Sequence, residues 1–167
     1  KYINKRQFVN ESNITLFSEQ DVKCYVILNN GLIKTIDTEL TLTATNIQGK
    51  KIKKKVDILK MKKGESAIIC VDEYLNYKNF LGNRRGMLSV NYENIGVFPR
   101  LFYFHENMEG KITLEHSNFG NSKKASKDAF KPKKNSRNLL YSIPIFSKKY
   151  KTEIDIFPTY PVQKNPY

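Results

Sequence analysis

Residues 39–45 alternate between apolar side chains and threonines, and this period of two constrains the fold more than any other feature of the chain. Leu40, Leu42 and Ala44 fall on one face, and the threonines fall on the other. Successive side chains of a β-strand point to opposite faces, so the segment predicts a strand with one dry and one solvated side. Residues 51–59 repeat the pattern after a Gly-containing turn, and the two segments together predict an antiparallel hairpin.

Short β-prone segments separated by turn signals fill most of the remaining sequence. We predict further strands at residues 13–17, 22–28, 66–71, 87–92, 97–105, 111–117, 139–146 and 152–157. Residues 72–79 predict a single helical turn, with Asp72 as its N-terminal cap. About nine or ten short strands at this spacing predict one all-β domain over residues 1–167, mainly antiparallel, because one-sided strands pair into a sandwich.

The net charge of +13 is large for a chain of this length. Such a charge favours polyanionic partners, nucleic acid among them. Lysine supplies 24 of the basic residues and arginine only 5, however, and Asn is abundant. A coding bias towards AT-rich codons produces the same composition without any function, and base-specific readers rely on Arg rather than Lys. Both origins of the charge stay open at this point.

Two segments concentrate the basic residues. Residues 50–63 hold eight Lys against Asp57, which indicates a solvated strand that resists edge-to-edge pairing. Residues 120–138 predict an exposed loop, in which residues 123–137 hold seven basic side chains but Phe130 as the only aromatic. Binders of single-stranded nucleic acid interleave several aromatics with their charges, so polyanion binding by this loop is an alternative function rather than the leading one.

The location of the protein is also predicted from the sequence. Residues 1–10 are basic and polar without an apolar core, so no signal peptide is expected. No run approaches the roughly 18 apolar residues of a transmembrane helix, so a membrane is not expected as a partner. Cys24 and Cys70 lie in apolar segments and are expected to be buried thiols without a disulfide. Together these features predict a cytoplasmic protein.

Common catalytic and cofactor signatures are missing from the sequence. The two histidines, His105 and His116, each adjoin a glutamate, which prompts a test for a metal site. A hairpin of residues 97–105 and 111–117 places His105 opposite Lys111 and His116 opposite Arg100. The imidazoles then lie roughly 16 Å apart, too far for one ion. We therefore expect neither a metal nor a cofactor, and no enzymatic activity.

The same hairpin suggests a ligand site. Phe102 and Phe104 share a face with apolar residues of the partner strand, which predicts a core patch, and Arg100 and His116 end that face. A guanidinium and an imidazole beside aromatic rings can bind a saccharide or an anionic metabolite. Ser117 adjoins His116. Two other residues, Arg84 and Arg85, join the candidates because Arg is rare in this chain.

Three interpretations of these residues stay open. The leading one is a non-catalytic binding module for a small polar ligand, bound by Arg100, His116 and Ser117 together with Arg84 and Arg85. A second is purely structural, with Arg100 paired to a buried carboxylate and His116 satisfied within the fold. A third is a hydrolase or lyase with His116 as general base, helped by a carboxylate such as Asp72 or Glu115.

The order of features resembles a known family. A strand ending in the run Ile27-Leu28-Asn29-Asn30-Gly31 is followed by the alternating hairpin, a Lys-rich turn, Asp72 and a later strand reaching His116. This order, over roughly residues 22–117, is similar to that of the sensory-rhodopsin-transducer-like domains. The resemblance implies a small prokaryotic β-sandwich that binds small molecules, carbohydrates among them, without catalysis. It also implies a role for His116. The basic loop and the last two predicted strands would be additions to the shorter core of that family.

Overall fold

The computed structural model describes residues 7–94, 101–115 and 118–120, and these contain nine strands and two short helices. In chain order they are β1 Gln7–Leu16, β2 Val22–Asn29, β3 Ile36–Thr45, β4 Lys51–Met61, β5 Ser66–Cys70, α1 Val71–Tyr74, α2 Tyr77–Leu81, β6 Gly86–Asn94, β7 Leu101–Asn107, β8 Ile112–Glu115 and β9 Asn118–Gly120. The predicted strands at 139–146 and 152–157, the basic loop after Gly120, and the candidates Arg100, His116 and Ser117 lie outside the described residues.

The strands form two antiparallel sheets. One sheet has the order β4-β3-β6-β1-β9 and the other the order β5-β2-β7-β8. Buried aliphatic side chains from both sheets, such as Leu42 and Val90 from the first and Val26 and Leu101 from the second, pack in one core. The prediction of an all-β antiparallel sandwich is confirmed.

The alternating hairpin forms with the predicted dry face, but its threonine face is less solvated than predicted, since Thr43 is buried. In β3 the side chains of Leu40, Leu42 and Ala44 are fully buried, and β3 pairs with β4 along nearly its whole length. β4 lies at the edge of its sheet, where its lysines are exposed. Exposed lysines on an edge strand oppose pairing with another chain, as the sequence of this segment indicated.

Asn30 lies in the turn after β2 and acts there through its side chain rather than through a positive φ angle. Among the described residues the only non-glycine position with a positive φ is Lys60. The Asn30 side chain is buried, and its amide nitrogen lies 2.8–2.9 Å from the carbonyl oxygens of Lys34, Met61 and Lys62. It thereby joins the turn after β2 to the turn between β4 and β5, and satisfies carbonyl groups that a loop would otherwise leave unpaired.

The hairpin of β7 and β8 corrects two expectations. His105 pairs with Thr113 rather than Lys111, because the turn is closed by Asn107 and Lys111 instead of by His105 and Lys111. Phe102 shares a face with Ile112 and Leu114 as predicted, but that face is the solvent side of the sheet. β7 is apolar on both sides, so its odd-numbered residues, from Leu101 to His105, fill the core instead.

The helices are short. α1 has four residues and α2 has five. Within the part of the chain that the structure describes, no helix is long and apolar enough to cross a membrane.

Truncating a buried residue of β3 should destabilise the fold far more than truncating an exposed residue of its neighbour. Leu42 is fully buried whereas Leu59 on β4 is 73% exposed. We expect Leu42→Ala to lower the free energy of unfolding by about 2–5 kcal/mol, and Leu59→Ala to change it by at most about 0.5 kcal/mol. Urea unfolding of both variants measures this, and equal losses would contradict the assignment of the core face.

Candidate functional site: the Asp72 pocket

The chain between β5 and β6 forms a helical corner whose apolar residues lie at a spacing of four. Val71 and Leu75 form one such pair, Tyr77 and Leu81 form another, and all four side chains are buried. Residues four apart lie on one face of a helix, so each short helix turns one apolar face into the sandwich. The polar residues between them are left on the opposite side, where they face solvent.

Gly86 allows this corner to pack closely. A Cβ atom at this position would lie 2.4 Å from a methyl group of Leu81 and 2.9 Å from the carbonyl oxygen of Thr45. Only glycine leaves room for α2 to approach the start of β6 at this distance.

The Asp72 carboxylate continues the β2–β5 ladder beyond the end of β5. The last residue pair between these strands is Tyr25 with Cys70, after which the chain turns into α1. The next amide along β2, that of Cys24, donates to Asp72 Oδ2 at 3.0 Å. A buried amide needs a partner, and here a side-chain oxygen takes the place of a strand carbonyl.

Two side chains of α2 bind the same carboxylate. The Tyr77 hydroxyl donates to Asp72 Oδ2 at 3.0 Å, and Lys78 Nζ lies 2.8 Å from Asp72 Oδ1. Lys78 Nζ also donates to the carbonyl oxygen of Gln20 at 3.2 Å. The Asp72 and Lys78 side chains are only 19% and 12% exposed, so water screens this pair less than it screens a surface ion pair. Asp72 therefore joins both helices to β2. Lys78 also connects α2 to the turn between β1 and β2.

Asp72 was predicted to cap the helix, and this is wrong. The N-cap position of α1 is Cys70, which makes no side-chain capping bond, and Asp72 lies inside the first turn. Its carboxylate is used for contacts across the fold instead.

A pocket of about 490 Å³ opens on the solvent side of this corner. Its lining is mostly polar and comes from both helices, the residues between them and the turn after β1: Gln20, Asp72, Glu73, Tyr74, Leu75, Asn76, Lys78 and Asn79. Two carboxylates and one ammonium group give the lining a single net negative charge. Carboxylate, ammonium and amide groups offer a ligand both donors and acceptors of hydrogen bonds.

The thiols of Cys24 and Cys70 and the phenol of Tyr77, which lie near Asp72, are held in their neutral forms. Burial raises the pKa of the Cys24 thiol far above its usual range, and the negative charge of Asp72 adds to the effect. Burial and then Asp72 raise the pKa of Tyr77 in the same way. The pKa of Cys70 is also raised, mainly by burial. Since the thiolate is the reactive form of cysteine, neither thiol is activated as a nucleophile. Both cysteines are free; Cys24 is buried as expected, but Cys70 is only half-buried.

Arg84 and Arg85, which the sequence proposed for the site, do not line this pocket. Arg84 is exposed in the segment between α2 and β6. The guanidinium carbon of Arg85 lies 5.0 Å from the centre of the Phe17 ring, which is the distance of a cation–π contact. Phe17 in turn packs edge-on against His105, with ring centres 4.8 Å apart.

His105 is buried and hydrogen-bonded within the fold. It is 8% exposed, and its Nε2 atom lies 2.8 Å from the carbonyl oxygen of Thr15, to which it donates. This bond joins β7 of one sheet to β1 of the other. Within residues 7–94, 101–115 and 118–120, no group of three His, Cys, Asp or Glu side chains is arranged to hold a metal ion.

Sequence reasoning missed the pocket although a signal for it was present. Residues 71–81 contain two apolar pairs at a spacing of four, and the polar residues between them fall on the other side of each turn. Reading the segment as one helical turn rather than two concealed the concave surface between them. The contacts of Asp72 with Cys24, 48 positions away, carry no local signal at all.

Comparisons of the chain with protein-family models, with curated proteins and with solved structures find no match. The resemblance to the sensory-rhodopsin-transducer-like domains therefore stays a prediction.

The raised pKa of Tyr77 predicts how stability depends on pH. The folded protein keeps the phenol proton to a higher pH than the unfolded chain, which releases it near pH ~10. The contribution of Tyr77 is therefore complete below about pH 9 and is lost as pH rises further. Tyr77→Phe should be less stable at neutral pH by about 1.5–3 kcal/mol, the value of a hydrogen bond to a charged group, and should lose less stability on alkalinisation.

Urea unfolding across this pH range, with Tyr74→Phe as control, measures the difference. Tyr74 lies in the same helical corner but is 40% exposed. If Tyr77→Phe and the wild type lose stability in parallel above about pH 9, Tyr77 does not keep its proton in the fold.

Proposed function

We propose that the protein is a non-catalytic binding module whose Asp72 pocket takes a small, uncharged, hydroxyl-rich ligand of the saccharide class. The observation that carries the proposal is the polar pocket itself, with Asp72 and Lys78 fixed in its wall. Its volume of about 490 Å³ suits a small molecule. Side chains already held in place lose little freedom when a ligand binds, which favours affinity.

The lining favours a neutral ligand over an anion. Asp72 and Glu73 outweigh Lys78 in charge, so an anionic metabolite would meet net repulsion as it lost its water. A polyhydroxyl compound can instead exchange hydrogen bonds with the amides of Asn76 and Asn79. Of the two ligand classes expected from the sequence, the pocket supports the saccharide.

Tyr74 supplies an apolar contact for the same ligand. It lies on the pocket wall and its side chain is 40% exposed. An aromatic ring has a large apolar surface, and the C–H groups on one side of a sugar ring can pack against it. The combination of an accessible ring with amide and carboxylate groups suits a ligand that is apolar on one face and polar at its rim.

Two features support binding without catalysis. The thiols of Cys24 and Cys70 stay protonated, so they are weak nucleophiles. Asp72 already accepts bonds from the Cys24 amide and the Tyr77 hydroxyl and pairs with Lys78, so its carboxylate is used in holding the fold together.

We also propose that the protein is cytoplasmic and works in a reducing compartment. The support is the state of its two cysteines, which are both free thiols. Free thiols persist where glutathione and thioredoxin keep them reduced.

Saccharide binding can be tested by calorimetry or ligand-observed NMR with a panel of neutral mono- and disaccharides and their phosphorylated counterparts. We expect a neutral sugar to bind more tightly than its phosphorylated form. Tyr74→Ala should weaken binding by roughly 2- to 10-fold, the value of one aromatic contact. Phe102→Ala is the matched control, because Phe102 is 38% exposed but lies on the solvent face of β7 and does not line the pocket.

Three results would contradict the proposal. If no saccharide binds, the proposed function is wrong. Loss of binding in Phe102→Ala but not in Tyr74→Ala moves the site to the β7 face that the sequence suggested. Tighter binding of phosphorylated sugars or of nucleic acid, with an affinity that falls steeply as salt is added, favours the polyanion alternative instead.

A further inference from the structure

The solvent side of the four-stranded sheet is an apolar face, here called the outer face. The strand registers place its side chains in cross-strand rows. Ile68, Ile27 and Phe102 form one row across β5, β2 and β7. The next row runs from Cys70 through Tyr25 and Phe104 to Leu114, and the last contains Lys23, Glu106 and Ile112. Tyr25 and Phe104 stack in parallel at the centre, with ring centres 4.5 Å apart.

Several of these side chains are more exposed than is usual for large apolar residues. Ile68 is 63% exposed, Ile112 and Leu114 are each 61% exposed, and Phe102 is 38% exposed. At these fractions the four side chains present roughly 400 Å², already within the ~300–600 Å² of the largest apolar patch on a typical monomer. The half-buried residues between them extend the face towards the ~800 Å² that each partner buries in a standard protein interface.

The outer face is also electrically balanced, unlike the chain as a whole. Among the described residues of its three rows, the charged side chains are Lys23 and Glu106, which stand opposite each other on β2 and β7. Burial, and then a hydrogen bond with Glu106, raises the pKa of Tyr25 to about 12, so this hydroxyl stays neutral. An aromatic and aliphatic centre with one charge pair at its border has the composition of an interface core and rim.

The balance of charge argues for a second copy of this chain as the occupant. A strongly acidic or basic partner would find no complementary charge on a face that holds one Lys and one Glu. Two copies of a protein with a net charge of +13 would normally repel each other, yet here the lysines of β4 belong to the other sheet. With sheets stacked about 10 Å apart, outer faces in contact would separate the two β4 strands by roughly 30 Å, well beyond the ~8 Å Debye length.

We propose that the outer face is the interface of a homodimer, in which the four-stranded sheets of two copies pack against each other. The apolar rows interdigitate in the manner of the two sheets inside each sandwich. A two-fold axis through the centre places Lys23 of one copy near Glu106 of the other. The proposal does not depend on what the Asp72 pocket binds.

Sedimentation equilibrium of the full chain tests the proposal. We expect a mass twice the 19.5 kDa of one chain at micromolar concentration. Leu114→Lys and Ile68→Lys should each weaken dimerisation at least tenfold, because each places a charge within an apolar interface. The matched control is Leu59→Lys, which introduces the same charge at a 73% exposed leucine of the five-stranded sheet and should leave the dimer intact.

The salt dependence gives a second readout that needs no variant. An apolar interface between like-charged molecules should tighten or stay unchanged as salt rises, because salt screens the remaining repulsion. A wild type that is monomeric at high micromolar concentration overturns the proposal. The face would then be left for a different protein, or for this chain's own residues after position 120, to cover. A dimer that salt dissociates, or that Leu59→Lys disrupts while Leu114→Lys does not, overturns it equally.

Discussion

The Asp72 carboxylate holds together the part of the sandwich where β5 gives way to the helices. It accepts the Cys24 amide where the ladder of β5 stops, binds the Tyr77 hydroxyl and pairs with the Lys78 ammonium group. Because these partners come from β2 and α2, one side chain fixes the position of the helical corner. Lys78 extends the connection to Gln20. The pocket lies on the solvent side of this corner, and Asp72 and Lys78 of the polar frame are part of its wall.

The two sheets divide the surface chemistry of the molecule between them. The five-stranded sheet ends in β4, whose exposed lysines protect its edge. The four-stranded sheet presents apolar rows to solvent around the Tyr25–Phe104 stack. The layer between them is mainly aliphatic, with Tyr92 and Tyr103 also buried in it, and the bond from His105 to the Thr15 carbonyl crosses it. The exposed lysines of β4 and the apolar face therefore lie on different sheets. Each can contact a different kind of partner.

Local patterning was enough to predict the architecture but not the site. The alternation in residues 39–45 predicts β3 and its dry face because strand periodicity is a property of neighbouring residues. The same reasoning failed for Phe102, since a strand that is apolar on both sides does not reveal which side meets the second layer. It also failed for Asp72, whose partner Cys24 is distant in sequence. Which faces are buried, and which distant groups meet, are decided by the packing of whole sheets.

Amide hydrogen exchange at Cys24 tests the role of Asp72 most directly. In the wild type this amide should exchange as slowly as the amides at the centre of β2, because the carboxylate takes the place of a strand carbonyl. In Asp72→Ala it should exchange much faster while the centre of β2 stays protected, and Glu73→Ala, which removes the neighbouring carboxylate, should leave it slow. A Cys24 amide that exchanges freely in the wild type, or equally slowly in Asp72→Ala, would contradict the view that this carboxylate holds the corner and its pocket in place.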